Sequence, residues 1–179
     1  MSCTITLSDI DYGCDNIGVG GIVELHLADK ANALSVFDNN DEAARTAAAT
    51  TIGAVTGLVH VEFNVKDGFS VFSEVKTNSA DGTSSTVPTI SVEVPLMSAA
   101  NITAINQMSK GGAELVAFVK TAAGTYHLAG LDYGLYVSNV DGNSGTGRSE
   151  KNRFQLTLTG EENGLSYSVT ESDFNTATA

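Results

Sequence analysis

The sequence predicts a mostly β protein, an antiparallel β-sandwich or barrel with one flanking α-helix at about residues 98–110. Three observations carry that expectation. Short runs of alternating apolar and polar residues recur along the chain, Gly, Asp and Asn clusters separate them, and only one stretch shows a capped helical repeat. The 179 residues suffice for one domain with a sizeable core, and no Pro-rich or charge-block linker divides them.

The first strands fall at Thr4 to Leu7 and Gly21 to Ala28. The glycines of Gly18-Val19-Gly20-Gly21 precede the second strand, so they read as a turn; a dinucleotide loop would follow a strand and open a helix. Residues 38–51, DNNDEAARTAAATT, offer N-caps and an alanine run without an apolar stripe, which fits either a short helix or a surface loop. The clearest pattern lies between Leu58 and Thr77. A three-residue loop, Lys66-Asp67-Gly68, pairs Val65 with Phe69, Phe63 with Val71 and Val59 with Val75, giving a hairpin with one apolar face. Its other face carries His60, Glu62, Asn64, Ser70 and Glu74, with His60 opposite Glu74.

Residues 78–85 then read as a mobile polar loop, and Ile90, Val92, Val94 and Leu96 as a strand closed by Pro95. Ser98 caps the helix, Ile102, Ile105 and Met108 form its stripe, and Gly111-Gly112 ends it. A hairpin follows over 113–128, with Thr121 to Gly124 as a four-residue loop setting Val119 opposite Tyr126. The next strand is broken at Gly134, where a bulge or close backbone contact is expected. Residues 138–149 form a second mobile loop. A last hairpin places Tyr167 opposite Leu158 and Val169 opposite Leu156, and the tail from Thr170, with nothing to bury, is expected to be disordered.

Twenty-one acidic side chains against nine basic ones give a net charge of −12, which disfavours binding by phosphate neutralisation. It does not disfavour a surface that DNA passes without sticking. No stretch reads as a membrane span or a secretory signal, so the expectation is a soluble protein made in the cytoplasm. Cys3 and Cys14 lack the second pair of a zinc site and read as reduced thiols or a local disulfide.

No catalytic, cofactor or metal constellation emerges. His26, His60 and His127 lie in separate strands, there is no nucleophile elbow, and Gly145-Thr146-Gly147-Arg148 lacks the Lys-Ser/Thr of a phosphate loop. Arg148, Lys151 and Arg153 form a basic trio, read as a patch for a neighbouring subunit in a chain this acidic.

Two stretches resemble tail tube-like structural proteins of tailed bacteriophages. One is the opening, Cys3 through Cys14-Asp15-Asn16-Ile17 to Gly20-Gly21-Ile22. The other is Tyr126-His127-Leu128-Ala129-Gly130, then Gly134-Leu135, a Gly/Ser/Thr-rich loop, and Phe154-Gln155-Leu156-Thr157-Leu158-Thr159-Gly160-Glu161-Glu162. The resemblance implies a non-enzymatic virion protein without a cofactor. Six such protomers would close a ring with a continuous inner barrel, and rings would stack on one another and on other tail proteins into a DNA conduit. The central hairpin's wet face would then line the lumen. Residues 38–51 and 78–85 do not match the pattern, which leaves open another ring or neck protein or a capsid decoration protein; the exposed polar loops separately suggest a β-sandwich adhesin or carbohydrate-binding module, against which the missing Trp and secretory signal count.

Overall fold

The computed structural model describes residues 20–34, 54–63, 70–147 and 150–179. In chain order these form β1 (Ile22–Asp29), the short α1 (Lys30–Leu34), β2 (Val59–His60), β3 (Val71–Asn78), β4 (Ser84–Pro95), α2 (Ala99–Met108), β5 (Leu115–Thr121), β6 (Tyr126–Ala129), β7 (Leu135–Asn143), β8 (Arg153–Gly160), β9 (Tyr167–Val169) and α3 (Glu171–Ala177). The protein is mostly β with a flanking helix, as its periodicity predicts. Every strand pairing is antiparallel, in the order β2-β1-β5-β7-β8-β4-β3, with β6 and β9 branching from β5.

The branch is a corner. β6 pairs with β5 over Ala117 to Lys120, whereas β7 meets β5 only at Leu115 and then runs along β8. Between them the chain turns through Gly130 and Gly134, both at positive φ. A Cβ on Gly130 would lie 2.6 Å from the Leu115 carbonyl oxygen, and one on Gly134 would lie 2.8 Å from Glu114 Cβ. Only glycine permits this approach. The turn folds β7-β8-β4-β3 over β2-β1-β5-β6-β9, and residues of both halves share one core: Leu25, Leu27, Ala117 and Val119 with Ile90, Val92, Leu156 and Leu158. At the far side Ser70 ties the halves, its carbonyl accepting from Ile22 N (3.3 Å) and its hydroxyl donating to Ile22 O (3.2 Å).

A second core lies on the other face of β5, where Val116 and Phe118 meet Leu128, Tyr167, Phe174 and Ala177. The tail is therefore ordered, contrary to the expectation from sequence. Thr170 caps α3 by accepting from Asp173 N, Phe174 and Ala177 fall three residues apart on its buried face, and Ala177 O accepts from Val55 N at 2.9 Å. Two apolar residues suffice because β5 leaves a ready-made apolar surface for them.

Helix α2 starts at the expected cap, with Ser98 Oγ accepting from Asn101 N at 3.1 Å. Ile105 is buried and Met108 packs against the core, but Ile102 is exposed. A spacing of three slips by about 60° per step around a helix, so a stripe of three such residues cannot all face inward.

Three expected pairings and two expected loops are corrected. Val59 and His60 pair with β1, and β3 pairs with β4, so the 58–77 hairpin does not form; its turn lies outside the described residues. Residues 78–85 are largely a hairpin end: β3 and β4 stay paired to Asn78↔Ser84, and the turn is closed by Ser79 N donating to Thr83 O. Residues 138–143 continue β7. In the 113–128 hairpin the loop is one residue shorter than expected, since Thr121 N donates to Thr125 O and Lys120 stands opposite Tyr126. Finally, β9 pairs with β6 and not with β8. Thr4 to Leu7, Cys3, Cys14 and residues 38–51 lie outside the described residues.

Phe174 is 1% exposed. Phe174→Ala should cost about 3–5 kcal/mol of stability through loss of the packed ring and the cavity left behind. Urea unfolding of the two proteins measures this; a difference below about 0.5 kcal/mol would mean α3 does not cover β5.

Candidate functional site

The outward face of β7-β8-β4-β3 is the candidate. Strand parity sets its composition: Phe72, Ile90, Leu156 and Leu158 point into the core, so their neighbours in sequence point out. Across the sheet these outward residues fall in ranks, Val71–Ser91–Thr157–Asn139 and Ser73–Thr89–Thr159–Tyr136, with Glu93–Gln155–Asp141 beside them. The centre is a bed of hydroxyls and amides; Ser91 Oγ and Thr157 Oγ1 lie 3.4 Å apart, and Thr159 Oγ1 donates to Pro88 O at 3.2 Å. The acids of the face are Glu93 and the exposed Asp141; Glu93 is 4% exposed, covered by Arg153 and by Lys151 Nζ at 3.3 Å. The face is thus wet and close to neutral.

The same four-stranded unit has two open edges. Among the described residues no strand pairs with the outer side of β3, and β7 beyond Leu135 pairs only with β8. A row of backbone donors and acceptors is left along each. Val75 on β3 is 63% exposed and stands opposite Val87, also exposed, so the open β3 edge carries apolar side chains as well.

The residues expected to share a lumen face do not share one. His60 and Glu62 are exposed beside β1, where His60 stacks on His26 with ring centroids 4.7 Å apart. Ser70 is buried against Ile22, and Glu74 points inward, accepting from Ser166 N (2.7 Å) and Ser166 Oγ (3.0 Å). Asn64 lies outside the described residues. The expected His60–Glu74 pair is replaced by these contacts, because β3 presents Phe72 and Glu74 to the interior in place of Val71 and Val75. In the basic trio, Arg148 is outside the described residues, while Lys151 and Arg153 serve Glu93 within the same chain.

Two other features resemble chemical sites and organise differently. His127 Nδ1 lies 3.2 Å from Ser166 Oγ, and its Nε2 lies 3.0 Å from Thr125 Oγ1. Ser166 gives its proton to Glu74, so the histidine is not placed between an acid and a nucleophile; the chain of bonds laces β3, β6 and β9 together. Burial holds the His127 imidazole below its usual range, against a smaller upward pull from Glu74. A groove of about 450 Å³ lies between α2, β2 and β4, lined by Val59, Val61, Val94, Leu96, Ile105 and Met108 with Glu62 at its side. Among the described residues no group of three His, Cys, Asp or Glu side chains could hold a metal ion, and no helix is long and apolar enough to cross a membrane.

The hydroxyl face was legible in part: the alternation of Thr157 and Thr159 with Leu156 and Leu158 marks a strand wet on one side. Its neighbours on β3 and β7 were not, since alternation fixes which residues share a face and not which strands lie side by side. Comparison with family models, curated proteins and solved structures finds no match.

Arg153→Ala should leave Glu93 with Lys151 alone and cost about 1–3 kcal/mol, whereas Glu93→Gln with Arg153→Ala should recover part of that loss because the buried charge goes too. Chemical denaturation of the single and double variants tests this. Additive losses would mean the pair is not coupled.

Proposed function

We propose that the protein is a self-assembling structural subunit of the tail tube type, in which β7-β8-β4-β3 units of successive copies join edge to edge into a barrel around a DNA conduit. The observation that carries this reading is a four-stranded sheet that, among the described residues, is open at both edges and uncovered on its outward face. Strand directions alternate across it, so β3 of one copy beside β7 of the next continues the antiparallel order. Such head-to-tail contacts are heterologous and close into a ring when the curvature is right.

The resemblance in the terminal stretches favours a hexameric ring in a virion tail. Four strands from each of six copies, about 24 at ~4.8 Å spacing and ~40° tilt, would give a backbone diameter of roughly 48 Å. That leaves room for a duplex once side chains are subtracted. The lumen would be lined by Ser73, Ser91, Thr89, Thr157 and Thr159. DNA binding by released counterions needs an array of exposed lysines or arginines, and this face pairs its two cations with Glu93. A duplex would meet hydroxyls and slide.

Size-exclusion chromatography with negative-stain imaging tests the assembly: rings or tubes are expected, and a dispersed monomer at high concentration would overturn it. Ser73→Lys with Thr159→Lys tests the lining. Exposed charges contribute little to stability, so folding and assembly should persist, while the mutant tubes should retain DNA at low salt and release it as salt rises. Mutant tubes that ignore DNA at low ionic strength would place this face elsewhere.

A further inference from the structure

We propose that Glu162, buried beside Asp132, is a proton-operated clasp: a proton on its carboxyl locks the crossover at 161–166 to the base of the β3–β4 hairpin, and its loss loosens that attachment. The placement is specific. After β8 the chain continues its pairing with β4 for one further bridge, with Thr86 N donating to Glu162 O and Glu162 N to Thr86 O, each at 2.8 Å. It then crosses between the two halves to reach β9. At this crossing Glu162 is 3% exposed, and its side chain meets the glycine corner from which β7 departs.

The hydrogen bonds assign the proton. Asp132 Oδ1 accepts from Tyr167 OH at 2.9 Å and Oδ2 accepts from Asn163 N at 3.0 Å, which suits a carboxylate. Glu162 Oε2 accepts from Asp132 N at 3.1 Å. Glu162 is the more deeply buried of the two acids, and its carboxyl lies beside that of Asp132, which disfavours a second negative charge. Burial first, then the Asp132 charge, push Glu162 up to about 7. Two carboxylates enclosed together repel, so ionising Glu162 in the closed clasp is costly.

The direction follows from linkage. An opened clasp exposes Glu162 to water, where it titrates near its ordinary value of about 4.3. Between that value and about 7 the closed form keeps a proton that the open form has lost, so closure weakens as pH rises through this window and levels off above it. Other titratable groups around the seam are Tyr133 and Tyr167, Glu161 next in the chain, Lys76 opposite Thr86, and Glu74 and His127 at Ser166. His127 gains charge in acid and acts in the opposite sense, so the Glu162 contribution must be isolated by substitution. Thr86 Oγ1 is buried without a hydrogen-bond partner among the described residues, which leaves the seam less firmly tied than a fully satisfied one.

Amide hydrogen exchange on the intact chain, corrected for intrinsic rates, tests the clasp at Thr86, Glu162 and Asn163. Protection at these amides should rise as pH falls from 7 to 5, by at most about tenfold per unit, and be flat above 7. In Glu162→Gln the rise should vanish, with Phe118 and Leu156 amides unchanged as controls. Equal pH dependence in the variant, or none in the parent, overturns the proposal. Should the variant fail to fold, carboxyl-carbon NMR of the parent decides: a Glu162 midpoint well above the usual carboxylate range supports the clasp, and an ordinary one refutes it.

Discussion

The structure depends on the glycine corner at residues 130–134. β5 presents a single edge to two strands, β6 along most of its length and β7 at Leu115, and this sharing is sterically open only because Gly130 and Gly134 bring the backbone against Leu115 and Glu114. From that corner follow the fold-over of the two halves and the common core of β1 and β5 with β4 and β8. The corner also frees β7 beyond Leu135 from β5, which opens its second edge. A side chain at Gly130 would therefore disturb both the core and the candidate assembly surface.

Among the described strands β5 is the most buried, and its two faces divide the labour. One packs into the sandwich and the other supports the cluster under α3. Its run Leu115-Val116-Ala117-Phe118-Val119 has no alternation, as expected of a strand covered on both sides. That run was a sign that something must cover the second face, and the Thr170–Asp173 cap with Phe174 and Ala177 was the sign of what covers it. By itself the tail from Thr170 carries too little apolar surface to order; its order derives from the surface it lands on.

Strands and faces were legible; partners were not. Val59, Val61 and Phe63 alternate as convincingly as Val71, Ser73 and Val75, and a three-residue turn pairs them consistently on paper. Yet Val61 is buried beside Leu25, its N–H donating to Leu25 O, while Val71 and Val75 face outward. The inward residues of β3 are Phe72 and Glu74, and a glutamate pointing inward is chosen by a contact ninety-two residues away, Ser166. Local periodicity carries no trace of such a partner. The same holds for Lys151 and Arg153, which looked like a free patch until Glu93 was placed beneath them across β4 and β8.

Open edges are a liability in a soluble protein, and natural sheets blunt them with lysines, prolines, bulges and short strands. Here β3 has Lys76 as its one cation and no proline, and its apolar Val71 and Val75 remain on the outward side. β7 carries an irregularity between Val137 and Asn139, midway along its pairing with β8. A bulge at that position adds twist to the strand. Head-to-tail pairing of flat edges would run on into an open filament, whereas a fixed local twist sets a rotation between neighbouring copies, and a rotation repeated at every contact is what closes a ring. Under the proposed assembly, the irregularity in β7 and the attachment of β3 at Thr86 and Ser166 are then the two elements that set this angle, one on each side of the joint.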